Sequence, residues 1–167
     1  MDKTIQEFFD GAQDGLMAFQ VWSDRFAPSA VADHICYKCA DLGEFEQVRA
    51  LFEKDSEFIY QSIISHRRIA YIKFLQPIQT LLGEIHYLEL ADQKPDGSQT
   101  SGFDHIEIYP LSGTVEEFVA DLASKGMMFE KIERPHHTTF DATITGTFKV
   151  RIEPEVLIEK IKREEMR

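Results

Sequence analysis

Cysteine is scarce in this chain: 167 residues carry two, Cys36 and Cys39. A disulfide framework is thereby excluded, and a chain of this length can bury a core without one. The two thiols have Cys-x-x-Cys spacing, which invites a redox or zinc reading. Both lie in a segment that reads as a strand, where positions three apart point to opposite faces, so they are not expected to meet. Basic charge is also short, with 18 Lys and Arg against 29 Asp and Glu for a formal charge of −11. That balance argues against non-specific binding to nucleic acid or anionic lipid. Arg67-Arg68 and the Lys160 to Arg167 tail are local exceptions, and the tail alternates in sign like a solvated helix face. No apolar run approaches membrane-spanning length, and the stretch Met1 to Glu7 lacks the basic start of a secretory signal. A reducing cytoplasm is the expected location, with a small molecule rather than nucleic acid or membrane as partner. The oligomeric state stays open.

What is present is organised as a repeat. Thr4-x-x-Glu7 has capping-box spacing, and Ile5, Phe8, Phe9, Ala12, Leu16 and Phe19 share one helical face. One helix is predicted over about 4–25, with Gly11 and Gly15 as weak points. A partner-docking role for its Phe8, Phe9, Phe19 and Trp22 is the minor reading, and packing on the outer face of the first sheet the major one. A strand over 31–39, a helix from Asp41, and strands near 57–64, 69–75 and 84–91 follow, with a break expected at Gln76-Pro77. The polar segment 92–102 reads as a linker. Beyond it the order returns: a strand at 103–109, a helix from Thr114, strands near 127–133, 138–144 and 147–153, and a closing helix over 154–166 with Pro154 at its start. The expected fold class is α+β, one domain of two fused β-α-β-β-β modules (30–91 and 103–153). They form one eight-stranded cup with helices outside, flanked by an N-terminal helix (1–29) and a C-terminal helix (154–167).

The tripeptide Asp-His-Ile opens the first strand of each module, at Asp33-His34-Ile35 and Asp104-His105-Ile106. A glutamate comes late in each, Glu89 and Glu153. Strand alternation puts His105, Glu107 and Tyr109 on one face, Lys149, Arg151 and Glu153 on another, and Tyr87 with Glu89. His34, Glu89, His105 and Glu153 together are a donor set for a divalent ion such as Zn, Ni, Fe, Mn or Co, with positions open to water or substrate. If Glu89 does not coordinate, His34, His105 and Glu153 remain, a two-histidine, one-carboxylate set that favours Fe²⁺. Glu107 is a candidate partner of His105 or general base. Glu89 and Glu153 are the other catalytic candidates. Arg151 and Tyr109 are candidates for contact with substrate, Arg151 through an anionic group. Asp33 and Asp104 are expected on the opposite face from the imidazoles they precede. His136-His137 reads as surface, and His66 and His86 as structural.

The repeat, with Ala32-Asp-His-Ile35, Leu88-Glu-Leu90 before a polar linker, Phe103-Asp-His-Ile-Glu-Ile108 and the strand from Gly146 to Pro154, resembles the YecM family. That family is similar in turn to the vicinal oxygen chelate superfamily of glyoxalases, extradiol dioxygenases, methylmalonyl-CoA epimerases and bleomycin-resistance proteins. The resemblance covers about residues 30–155. It implies that His34 and His105 ligate from the first strand of each module and Glu89 and Glu153 from the last. It also implies a metal-dependent isomerase, lyase or dioxygenase acting on a small oxygenated molecule, or else a non-catalytic binding protein using the same cup.

Overall fold

The structure is a computed structural model and describes residues 3–134 and 137–165. Thr4 caps the first helix as the sequence predicts: its hydroxyl accepts from the Glu7 N–H at 3.1 Å while Glu7 accepts from the Thr4 N–H at 2.8 Å. The single N-terminal helix expected is two, α1 (Ile5–Asp10) and α2 (Gln13–Phe26), separated at Gly11-Ala12. Glycine is a poor helix former. The break lets α1 press Phe8 and Phe9 against Phe52, Phe74 and Phe103 while α2 crosses the strands of the second module rather than the first. Phe8, Phe19 and Trp22 are all buried in the core, so none is displayed for a partner.

The first module is β1 (Ala30–Lys38), α3 (Leu42–Phe52), β2 (Ser56–Ile64), β3 (Arg67–Thr80) and β4 (Gly83–Ala91). The second is β5 (Gly102–Pro110), α4 (Val115–Ser124), β6 (Glu130–Glu133), β7 (Thr138–Thr145) and β8 (Phe148–Ile152), closed by α5 (Leu157–Glu165). All eight strands form one mixed sheet in the order β2-β3-β4-β1-β5-β8-β7-β6. β1 and β5 pair antiparallel at the centre, and each is flanked by the last strand of its own module in parallel. Exchange of the two modules maps that pattern onto itself. The break expected at Pro77 is instead a register shift inside β3, between Lys73 and Ile78, where a residue with no N–H costs the ladder nothing.

Helices α1 to α4 cover one face of the sheet, and the main core lies between. Gly15 lets α2 approach closely there, since a Cβ would stand 3.0 Å from the Phe148 ring. Gly15→Val is expected to destabilise the protein by about 1–3 kcal/mol through overpacking, read as a lower urea midpoint. Helix α5 corrects the expectation that all helices lie outside. Its Leu157 and Ile161 are buried against Ile69, Tyr71, Tyr87 and Ala91, on the concave face opposite the other helices. Two fully buried aliphatic side chains, worth roughly 1.5–3 kcal/mol each, hold it in the cup. Cys39 lies in the core beneath the helices and Cys36 faces the cup, unlinked. Among the described residues no helix is long and apolar enough to cross a membrane.

Candidate metal centre

The two Asp-His steps are β-bulges. Along β1 and β5 the paired residue numbers run Ala32↔Ile108 and then His34↔Glu107, skipping Asp33; further on, Cys36↔His105 gives way to Tyr37↔Phe103, skipping Asp104. Each aspartate is the extra residue of its strand, so it and the following histidine face the same way. The core pattern shows the same phase change: Ala30 and Ala32 face the helices before the first bulge, Ile35 and Cys39 after it. This overturns the expectation that Asp33 and Asp104 point away from their imidazoles. Asp33 Oδ1 is 2.8 Å from His34 Nδ1, and Asp104 Oδ2 is 2.7 Å from His105 Nδ1. With Nδ1–H given to a carboxylate, the Nε2 lone pair of each ring is left for something else.

Four side chains converge there: His34, Glu89, His105 and Glu107, one donor atom from each lying within 4.8 Å of all the others. His34 Nε2 is 3.1 Å from Oε2 of both Glu89 and Glu107, and His105 Nε2 is 3.8 Å from Glu107 Oε2. Ligands about 2.1 Å from one ion, at angles between a right angle and the tetrahedral angle, stand roughly 3.0–3.4 Å apart. His34 is 1% exposed, and its Nε2 makes no properly directed hydrogen bond. A buried, orphaned imidazole nitrogen beside two carboxylate oxygens fits a cation that sits between them.

Without an ion, a proton takes that place. Burial pushes the His34 imidazole down, but the Glu107 carboxylate with Asp33 and Glu89 outweighs it and holds His34 well above its ordinary 6.5. Burial likewise opposes ionisation of Glu89, and the His34 and His105 imidazoles override it, bringing its carboxyl to about 2. Glu107 is also held low against its burial, by His34 and Lys160. Tyr109, buried, donates its hydroxyl to Glu107 Oε1 at 3.0 Å and stands 3.2 Å from His34 Nδ1.

Glu153, expected as the fourth donor, is not among the four. It pairs with Lys160 of α5 and lies 3.3 Å from His137 Nε2, and burial followed by the nearby Glu107 carboxylate pushes it up to about 8. Register explains the difference. His34↔Tyr87 and Cys36↔Glu89 in one module correspond to His105↔Lys149 and Glu107↔Arg151 in the other, so the counterpart of Glu89 is Arg151 and that of Glu153 is Ala91. Arg151 is clamped by Asp141 through Nε at 2.9 Å and Nη2 at 3.0 Å, which supplies its counter-charge, and its Nη1 reaches 3.5 Å from His105 Nε2. With that register, Leu88 and Leu90 align with Val150 and Ile152, which sets Glu89 on Arg151. His137 reaches Glu153, while His136 lies outside the described residues. His66 sits in the β2–β3 turn with positive φ, and His86 pairs loosely with Glu84.

Glu89 and His105 line a cavity of about 580 Å³ that also takes in Cys36 and Arg151. α5 closes the cluster from another direction: Lys160 stands 3.4 Å from Glu107 Oε1, and Asp33 Oδ2 accepts the Leu157 N–H at 3.0 Å. Asp104→Ala is expected to weaken divalent-metal affinity by about 10–100-fold, because the His105 ring loses its anchor. Competition with a chromogenic chelator measures this, and an unchanged affinity would mean the aspartate only shapes the strand.

A family model described as "YecM protein" matches residues 4–161. No curated protein matches the sequence. Among solved structures, one described as "Structural Genomics, Protein EC4020" is 23% identical, with 96% of this chain and 92% of that one covered and a TM-score of 0.73. That likeness shows the fold. A variant of Streptomyces coelicolor methylmalonyl-CoA epimerase in complex with 2-nitronate-propionyl-CoA is 17% identical over 77% of this chain and 96% of its own, with a TM-score of 0.48. A mutant of 4-hydroxymandelate synthase from Streptomyces coelicolor is 12% identical over 82% and 56%, with a TM-score of 0.37. Likenesses of that size assign nothing further.

Proposed function

The chain belongs to the YecM protein family, and from that premise we propose that it is a divalent-metal-dependent enzyme acting on a small oxygenated molecule. His34, Glu89, His105 and Glu107 would hold the ion. The observation that carries this reading is the buried His34 Nε2, orphaned between two carboxylates in a four-donor cluster. When bound, a divalent ion there would chelate two neighbouring oxygens and stabilise negative charge developing on them, as the resemblance to vicinal oxygen chelate proteins implies.

The chain's own residues divide the remaining work. Asp33 and Asp104 fix the imidazole tautomers, and the Tyr109 hydroxyl holds Glu107 Oε1. Glu89 is the most exposed of the four at 20% of its side chain, against 4% for Glu107, and it lines the cavity. It is therefore the carboxylate placed to leave the ion and take a proton from a bound molecule. Proton abstraction next to a carbonyl is the reaction class this supports. Protein loaded with Mn²⁺ or Zn²⁺ is expected to exchange carbon-bound hydrogen of a small 2-oxo acid or acyl thioester in D₂O, followed by NMR. Glu89→Gln should lose the exchange. Bound metal with no exchange across such a panel would leave a binding protein, and oxygen uptake by the Fe²⁺ form would place it with the oxygenases.

A further inference from the structure

The cavity beside the cluster is unlike the rest of the molecule in charge. Its lining includes Lys38, Arg67, Lys94, Arg134, Lys149 and Arg151, six cations against the four carboxylates of Glu89, Asp96, Glu130 and Asp141, in a chain whose net charge is −11. Several of these cations lack a full counter-charge. Arg151 is matched by Asp141, but Lys38 and Lys149 share one carboxylate oxygen, Asp104 Oδ1, at 3.2 and 3.3 Å. Arg67 donates only to neutral acceptors, the Gln99 side-chain oxygen and the Asp92 carbonyl. Arg134 gives its Nε to the Thr139 hydroxyl at 3.0 Å. Among the described residues neither Arg67 nor Arg134 forms an ion pair, though both are partly buried.

Desolvating a guanidinium without an anion is unfavourable, and its planar fork matches a carboxylate or phosphate. The two arginines come from equivalent hairpins on opposite arms, Arg67 opening β3 after the β2–β3 turn and Arg134 following β6, and both line the cavity that Glu89 and His105 also line. We propose that the substrate is a small anion with two separated parts: a pair of oxygens bound at the His/Glu centre, and a distal carboxylate or phosphate held by Arg67 and Arg134. This names the substrate class of the proposed enzyme and rests on that reading for its first part only.

Three chelating probes test it by isothermal titration into Zn²⁺-loaded protein at low salt: acetohydroxamate, with no distal charge, succinohydroxamate, with a distal carboxylate, and phosphonoacetohydroxamate, with a distal phosphonate. At least one charged probe is expected to bind roughly tenfold or more tighter than acetohydroxamate. Arg134→Gln should abolish that advantage and leave acetohydroxamate within about twofold; Arg67→Gln serves equally if Arg134→Gln does not fold. The probe with the larger gain identifies carboxylate or phosphate. Equal affinity for all three, or an advantage kept in both variants, overturns the proposal. If no hydroxamate binds, the metal reading has failed, and succinate and inorganic phosphate are titrated into metal-free protein. Binding that is lost in Arg134→Gln then upholds the anion site, and no binding of either overturns it.

Discussion

Glu107→Gln is expected to release the bound metal, with affinity falling more than ~100-fold, while Glu153→Gln retains it. The substitution keeps the shape of Glu107 and its place under the Tyr109 hydroxyl. What it removes is an anionic donor 3.1 Å from His34 Nε2. Glu153 is engaged by Lys160 and His137 and lies outside the set of four donors, so its substitution removes no ligand. Metal content of wild type and both variants, measured after dialysis against a weak chelator, separates the two. Loss in Glu153→Gln and retention in Glu107→Gln would reverse the ligand assignment.

Removing the metal is expected to lower the melting temperature by about 5–11 °C. An ion at 100 times its dissociation constant adds about 2.7 kcal/mol, and in a chain of this size each kcal/mol moves the midpoint by roughly 2–4 °C. The difference should grow as pH rises. In the metal-free protein His34 is raised above its ordinary 6.5, so its proton contributes stability that is complete below that value and is lost as pH climbs through the raised one. The ion competes with the same proton and binds better as it leaves. Glu89 sets the acid side: it is depressed to about 2, so its contribution is present above the ordinary carboxylate value and is lost as pH falls toward 2. Melting curves with chelator and with metal, from about pH 6 to about pH 9, should diverge; coincident curves throughout would argue against the ion.

The fold class and its duplication were legible in the chain because they rest on local chemistry: caps at Thr4, Asp41 and Thr114, apolar stripes on α3 and α4, and the repeated Asp-His-Ile. His34 and His105, two members of the four-donor cluster, stand in the same repeat, whereas Glu89 has Arg151 and no glutamate as its counterpart. Three features were not legible, each for a physical reason. Strict period-two alternation sends Asp33 away from His34, and only pairing with the neighbouring strand reveals the extra residue that turns both to the same side. The choice between Glu107 and Glu153 depends on the register of a parallel pair, set by a crossover and not by a turn that could be read. The position of α5 is a matter of which face had room. Its stripe of Leu157 and Ile161 is equally consistent with packing inside or outside the cup, and the Asp33 carboxylate that accepts the Leu157 N–H is 124 residues away along the chain.

In the proposed enzyme one ion sits between His34, Glu89, His105 and Glu107. Anomalous diffraction from crystals soaked in Zn²⁺, recorded above and below the zinc edge, tests it most directly. A single peak about 2.0–2.2 Å from His34 Nε2, His105 Nε2 and an oxygen of each of Glu89 and Glu107 is the predicted result. No peak at that position, with His34 Nε2 still facing the two carboxylates as a protonated imidazole, would contradict it.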